Sequence, residues 1–161
     1  MKLVLLIIDM QKCFLDDFVD RRALEECCEY INHVGRLLRR AGHTVIHVQD
    51  VEDADSFSAE AMDFIDEIEI EDADAKVTKI ESNAFWDTEL DNIVKDRGCD
   101  LVIVCGQAAE HCVIFTYNGA RERGHNAVIL QNGVLSGSPD RVRHLTEDRN
   151  LISYPVVKAI T

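Results

Sequence analysis

The chain has 161 residues, 47% of them hydrophobic, and carries a formal net charge of −13 at pH 7. This length and composition are typical of one globular domain with its own core, so we expect a single domain over residues 1–161. No apolar run approaches the roughly 20 residues that span a bilayer, and no basic stripe is present to attract phosphates. We therefore expect neither a membrane partner nor a nucleic-acid partner.

Apolar runs alternate with helix-forming segments along the chain. The apolar runs predict strands, at residues 2–9, 43–49, 75–80, 99–105, 125–130 and 151–157. The segments between them predict helices, at residues 20–42, 58–68, 87–98, 110–124 and 139–148. Strands alternating with helices form right-handed crossovers and a parallel sheet covered on both faces. The predicted fold is a three-layer α/β domain, Rossmann-like, with a mostly parallel six-stranded sheet.

The negative charge is concentrated in one segment. The stretch from Asp50 to Asp74 holds twelve of the 30 acidic residues and neither Lys nor Arg. We interpret it as a local, solvated acidic flap. A calcium loop is disfavoured because the glycine and the terminal glutamate of an EF-hand are missing.

The six cysteines do not form the pattern of a disulfide framework. Cys27 and Cys28 are adjacent within a helical pattern, Cys105 lies inside a strand, and no C-x-x-C pair exists. These features disfavour a zinc ribbon and a redox dithiol and are typical of small buried side chains in a reducing compartment. The short apolar run at the start has no cleavage motif and meets Asp9, so we interpret it as a strand and expect a cytoplasmic protein.

Three reactive side chains follow three of the predicted strands. Asp9 lies after the first strand, Lys79 at the end of the third, and Cys112 just past the fourth. Ligands of open α/β sheets bind beyond the carboxyl ends of the strands, and a thiol nucleophile needs a base and a nearby positive charge. The first turn of a helix would also favour an ionised Cys112 thiol. Taken singly, Asp9 also fits a cap, Lys79 a solvated strand end and Cys112 a packed small residue.

Three motifs resemble those of the isochorismatase-like cysteine hydrolases, a family that includes nicotinamidases and N-carbamoylsarcosine amidase. They are IIDMQKCF (Ile7–Phe14), KIESNAF (Lys79–Phe85) and VCGQAAEHCV (Val104–Val113). The likeness continues through NGARERGHNAVIL and covers nearly the whole chain.

The resemblance implies a catalytic triad of Asp9, Lys79 and Cys112. It also implies a cis peptide bond between Gln107 and Ala108, which would direct the N–H groups of Ala108 and Cys112 at a developing oxyanion. The implied activity is hydrolysis of a non-peptide C–N bond in a small amide or carbamoyl-like substrate, through a Cys thioester. Relatives commonly assemble into dimers or larger rings, so a homo-oligomer is expected.

Two departures from the family pattern bear on this prediction. Nicotinamidases of the family carry an Asp-x-His metal motif after the second strand, whereas HVQDVEDADS has His47 and no later histidine. The zinc ligand set is therefore incomplete, and we expect no metal and no other cofactor. Ala109 replaces a threonine of the family motif. A non-catalytic binding or scaffold protein on this fold, or an isochorismatase-type hydrolase of another small substrate, stays open as an alternative.

Aromatic residues within the motifs are candidates for substrate contacts. Phe14, Phe85 and Trp86 would stack on a planar substrate, although the same residues also fit an ordinary core. His111 is next to Cys112 in the sequence, and we expect it to be a packing or rim residue rather than the base.

Overall fold

The structure is a computed structural model that describes residues 1–18 and 20–161. Its six strands form one sheet in the order β3-β2-β1-β4-β5-β6, and every neighbouring pair is parallel. The strands are β1 (Leu3–Ile8), β2 (Thr44–Asp50), β3 (Ala75–Lys79), β4 (Leu101–Gln107), β5 (Ala127–Leu135) and β6 (Leu151–Ile152). The predicted six-stranded α/β fold is confirmed.

Helices cover both faces of the sheet. They are α1 (Lys12–Leu15), α2 (Arg21–Arg40), α3 (Ala59–Met62), α4 (Leu90–Asp96), α5 (Ile114–Glu122), α6 (Pro139–Asp148) and α7 (Tyr154–Ile160). Buried side chains of α2 and α7 pack on one face, and those of α4, α5 and α6 pack on the other. Among the described residues, no helix is both long and apolar enough to cross a membrane.

The central strand β1 shows why its sequence is a continuous apolar run. Leu3, Leu5 and Ile7 belong to the core on the α2 face. Val4, Leu6 and Ile8 belong to the core on the opposite face. Because side chains of a strand alternate between faces, a strand covered on both sides has no polar positions.

Several predicted boundaries differ from the structure; the helix predicted at 110–124, for example, begins as α5 at Ile114. Two predicted elements differ most. The strand predicted at 151–157 ends at Ile152, and α7 begins at Tyr154. Pro155 lies in the first turn of α7, where a missing N–H costs nothing, whereas a strand would lose a ladder hydrogen bond there. The helix predicted at 58–68 is limited to Ala59–Met62, because the chain beyond it pairs with the segment after β1, with Ile65 N–H donating to the Met10 carbonyl at 2.9 Å.

The acidic stretch is not one solvated flap, so that prediction is wrong for its second half. There, acidic side chains pair with arginines of α2: Arg21 with Glu67, Arg36 with Glu69, and Arg39 with Asp74. Asn32 of α2 adds hydrogen bonds to the Glu67 carbonyl and the Glu69 N–H. The first half, around Glu52, Asp53 and Asp55, is exposed and has no arginine partner among the described residues.

The strand order reverses between β1 and β4, and Gly106 allows the two strands to approach there. Gly106 has a φ of 107°, and a Cβ on it would lie 2.1 Å from the Ile8 carbonyl oxygen. Such a switch point opens a crevice beyond the strand ends. Asp9 and the segment after β4 lie at this crevice.

We predict that Gly106→Ala lowers the free energy of unfolding by more than about 2 kcal/mol, because both a positive φ and a backbone collision oppose the new methyl group. Gly124→Ala is the control, since Gly124 has a φ of 84° and open space around it and should lose only about 1–2 kcal/mol. Urea unfolding of both variants measures the difference, and equal losses would contradict the collision.

We predict that Asp74→Asn lowers the free energy of unfolding at pH 7 by about 2–3 kcal/mol, because the variant leaves the mostly buried Arg39 guanidinium without its carboxylate. Burial opposes ionisation of Asp74, but hydrogen bonds from Arg39, the Glu71 N–H and His47 together outweigh it and hold the pKa of Asp74 below its ordinary value. A lowered folded-state pKa stabilises above the unfolded-state pKa, and this contribution disappears as pH falls through the folded-state value. The difference from the wild type should therefore shrink below about pH 4. Asp72→Asn, at an exposed site, should change little at any pH.

Candidate active site

The Lys79 ammonium lies at the centre of the site. Lys79 ends β3, and its side chain is fully buried. Its Nζ lies 2.9 Å from Asp9 Oδ2 and 3.4 Å from Cys112 Sγ, and it donates to Asp50 Oδ2. The structure thus brings the three predicted catalytic residues together around one cation.

Asp9 is held just beyond β1 in a left-handed backbone conformation, with a φ of 51°. Its N–H donates to the Val48 carbonyl at 3.0 Å, and its carbonyl accepts from Gln107 Nε2 at 3.3 Å. The side chain is buried, and Oδ1 has no hydrogen-bond partner among the described residues. This oxygen can accept a proton from a neighbouring group.

Cys112 lies in the turn Ala109–Val113, which joins β4 to α5. The Gln107–Ala108 peptide bond before this turn is cis. The Ala108 carbonyl accepts the His111 N–H at 3.0 Å, and His111 departs from helical geometry with φ −125° and ψ −111°. The turn leaves the Cys112 side chain only partly buried, so the sulfur remains accessible.

Asp50 is a site residue that the sequence analysis assigned to the acidic flap. It ends β2 and lies opposite Lys79 in the β2–β3 register. One carboxylate oxygen accepts from Lys79, and the other accepts from the Glu52 N–H at 2.9 Å. Gln11 fixes the Asp50 backbone by accepting its N–H at 2.7 Å and donating to its carbonyl at 3.0 Å. Its position at the carboxyl end of a strand, the criterion that selected Asp9, could have identified it.

Burial dominates the titration of Asp9. Desolvation raises its pKa from 3.8 to about 6, although Lys79 and Cys112 act in the opposite direction. The carboxylate is therefore mostly ionised at neutral pH, yet it is a stronger base than an exposed aspartate. This combination suits a general base.

The thiol of Cys112 is protonated at rest, contrary to the expectation of an ionised thiol. Burial, followed by the Asp9 charge, raises its pKa to about 12, and Lys79 offsets this only in part. For Lys79, burial disfavours the charge, but Asp9, Cys112 and Asp50 together raise its pKa above the ordinary value. The resting site thus holds an ammonium, a carboxylate and a neutral thiol.

A cavity of about 270 Å³ opens at the thiol. Its walls combine catalytic, acidic and apolar side chains: Asp9, Phe14, Asp50, Glu52, Asp53, Phe57, Met62, Ser82, Gln107, Ala108, His111 and Cys112. The volume suits a small molecule. A larger groove of about 780 Å³ between α2 and the segment after β5 shares Phe14 with the cavity, but neither Asp9 nor Cys112 lines it.

The three predicted substrate-contacting aromatic residues have different environments. Phe14 lines the cavity with 43% of its surface exposed. Phe85 is buried, stacks on His125 and lies in the core beneath α4 and α5. Trp86 is 60% exposed but does not line the cavity. The structure therefore brings only Phe14 of the three to the thiol, and it adds Phe57, which the sequence analysis did not single out.

The site does not fit the metal that the nicotinamidase branch of the family implies. Oxygen atoms of Asp9 and Asp50 and the Cys112 sulfur lie within 4.8 Å of one another, close enough to share a cation. The Lys79 ammonium contacts all three. A metal ion at these ligands would have to displace a buried lysine that already supplies the positive charge. His47 lies elsewhere, where Nε2 contacts Asp74 at 3.0 Å.

Known proteins provide an independent comparison. Streptothricin hydrolase of Streptomyces noursei is 28% identical over 131 residues, which cover 78% of this chain and 51% of that protein. An isochorismatase-like hydrolase from Alkaliphilus metalliredigens is 21% identical, with 100% of both chains covered and a TM-score of 0.84. N-carbamoylsarcosine amidase from Thermoplasma acidophilum is 22% identical, with 95% of both chains covered and a TM-score of 0.79.

The two structural likenesses show the fold, and the match to a family model shows the family. The chain spans 43% and 51% of the lengths of two curated relatives that it matches. A family model for the isochorismatase domain matches residues 4–158. Since this match covers nearly all of the chain, the protein belongs to the isochorismatase domain family.

Proposed function

We propose that the protein is a metal-independent hydrolase that cleaves the C–N bond of a small amide or carbamoyl-like substrate through a thioester on Cys112. One observation carries the proposal: a buried carboxylate, one oxygen of which has no partner among the described residues, lies beside a thiol, and one ammonium contacts both. These are the groups that nucleophilic acyl transfer by a thiol requires. Amide hydrolysis also appears in the name of a structurally similar protein, N-carbamoylsarcosine amidase.

Asp9 and Cys112 act together in the first half of the proposed reaction. The thiol attacks the substrate carbonyl while Asp9 takes its proton. Lys79, 2.9 Å from the carboxylate and 3.4 Å from the sulfur, stabilises the negative charge as it moves from oxygen through sulfur to the substrate. The N–H groups of Ala108 and Cys112 are the proposed donors to the oxyanion.

The second half restores the enzyme. Protonated Asp9 gives its proton to the leaving amine as the C–N bond breaks, which leaves an acyl group on the sulfur. Asp9 then takes a proton from water, and the resulting hydroxide displaces the thiolate, which recovers a proton from Asp9. The net reaction consumes one water and yields an acid and an amine, so no oxidant, reductant or cofactor is needed.

The homo-oligomer that the family resemblance implies remains a prediction, and the mechanism proposed here does not depend on it.

We predict that Cys112→Ala lowers turnover of the best substrate in a panel of primary amides and N-carbamoyl compounds at least 1,000-fold, and Asp9→Asn about 100- to 10,000-fold. Asp72→Asn is the matched control and should keep wild-type activity. In the wild type, kcat/KM should rise about tenfold per pH unit below about pH 6 and level off above it, because Asp9 must be ionised. A Cys112→Ala variant that is fully active would rule out the thioester.

We predict that Cys112 contributes no thiolate absorbance between pH 5 and pH 9, because burial and the Asp9 charge raise its pKa to about 12. The ultraviolet difference between the wild type and Cys112→Ser measures this directly, since the other five cysteines cancel. A sigmoidal rise with a midpoint below pH 8 would mean that Cys112 attacks as a preformed thiolate rather than through Asp9.

A further inference from the structure

Four carboxylates line the cavity, and no lysine or arginine does among the described residues. They belong to Asp9, Asp50, Glu52 and Asp53. Lys79 lies behind the wall and contacts both Asp9 and Asp50, so these three groups sum to one negative charge when Asp9 is ionised. Glu52 and Asp53 add two further charges at the mouth.

The charges at the mouth have no ion-pair partner in residues 1–18 and 20–161. Within the described part of the chain, neither Glu52 nor Asp53 forms an ion pair, whereas Glu67, Glu69 and Asp74 of the same acidic stretch pair with α2. Like charges gathered around a cavity repel one another. A cationic ligand would relieve this repulsion.

Two further features of the cavity point to a ligand. Asp9 lines the cavity and is almost completely buried, yet its Oδ1 has no hydrogen-bond partner among the described residues. Phe14 and Phe57, 43% and 42% exposed, present aromatic surface to the same space. Aromatic rings beside carboxylates form the surroundings that alkylammonium groups favour.

We infer that the substrate is cationic: an amide or carbamoyl compound whose ammonium group lies against Glu52, Asp53 and the Phe57 ring while its carbonyl faces Cys112. This inference rests on the proposed function and specifies its substrate class. The negative cavity attracts such a molecule and repels an anionic amide, so the preference weakens as salt screens the charges.

Thiol labelling tests the charge preference without any turnover. Two methanethiosulfonates of similar size are used, one with a trimethylammonium group and one with a sulfonate, and mass spectrometry locates each mixed disulfide. We expect Cys112 to react at least tenfold faster with the cationic reagent at low salt. Cys99 is the internal reference, because it is partly buried and precedes β4, at the amino-terminal end of the strands and so away from the cavity. An equal ratio at Cys112 and Cys99 would overturn the inference.

Variants identify the charges responsible. The double variant Glu52→Gln, Asp53→Asn removes two exposed carboxylates and should lower the labelling ratio at Cys112 at least fivefold. Asp72→Asn removes an exposed charge just before β3, at the end of that strand opposite to Lys79, and should leave the ratio unchanged. A ratio that the double variant does not change would assign the preference to other groups and overturn the proposed contact.

Hydrolysis of an isosteric pair separates this inference from the proposed function. We expect 4-aminobutanamide to be hydrolysed at least tenfold faster than pentanamide, which has a methyl group in place of the ammonium. Equal rates would overturn the charge preference and leave amide hydrolysis standing. Selective labelling without hydrolysis of any tested amide would support the cationic ligand and contradict the proposed function.

Discussion

The arrangement of the site depends on the contacts of the buried Lys79 ammonium. It contacts side chains from the ends of two other strands and from the turn after a fourth, namely Asp9, Asp50 and Cys112. Without this cation, two carboxylates would face each other and a thiol in a partly buried space, at a large cost in free energy. The same charge keeps Asp9 ionised near neutral pH although burial opposes it. Both the arrangement of the site and the proposed reaction therefore depend on the Lys79 ammonium.

The acidic composition of the chain serves two different purposes. Carboxylates near Asp74 attach the connection between β2 and β3 to the basic face of α2. Asp50, Glu52 and Asp53 line the cavity instead, and Gln11 holds the Asp50 backbone in place. One end of the connection is thus paired with α2, and the other end gives the cavity its negative charge.

Much of this was predictable from local sequence, and the remainder was not. Apolar runs predicted the strands and made Asp9, Lys79 and Cys112 candidates at their ends, and the resemblance of the motifs implied that they form a triad. The position of Asp50 after a predicted strand could have identified it, but it was assigned to the acidic stretch because a run of acids looks alike whether it is solvated or paired. The pairing of Arg39 with Asp74 spans a long sequence separation, which periodicity does not detect. The protonation of Cys112 depends on burial, which the helix-terminus argument ignored, and the helix α7 replaced a strand because Pro155 fits a first helical turn.

Detection of the acyl-enzyme tests the proposed thioester on Cys112 most directly. An amide that the protein hydrolyses would be mixed with it, and the reaction would be quenched in acid within the first turnover. The protein would then be analysed by intact-mass and peptide mass spectrometry. The thioester mechanism predicts a mass increase equal to the acyl group, located on Cys112 and removed by hydroxylamine, and its absence in Asp9→Asn. Turnover at full rate with no adduct on Cys112 would mean that water attacks the substrate directly, and would contradict the central role assigned to the thiol.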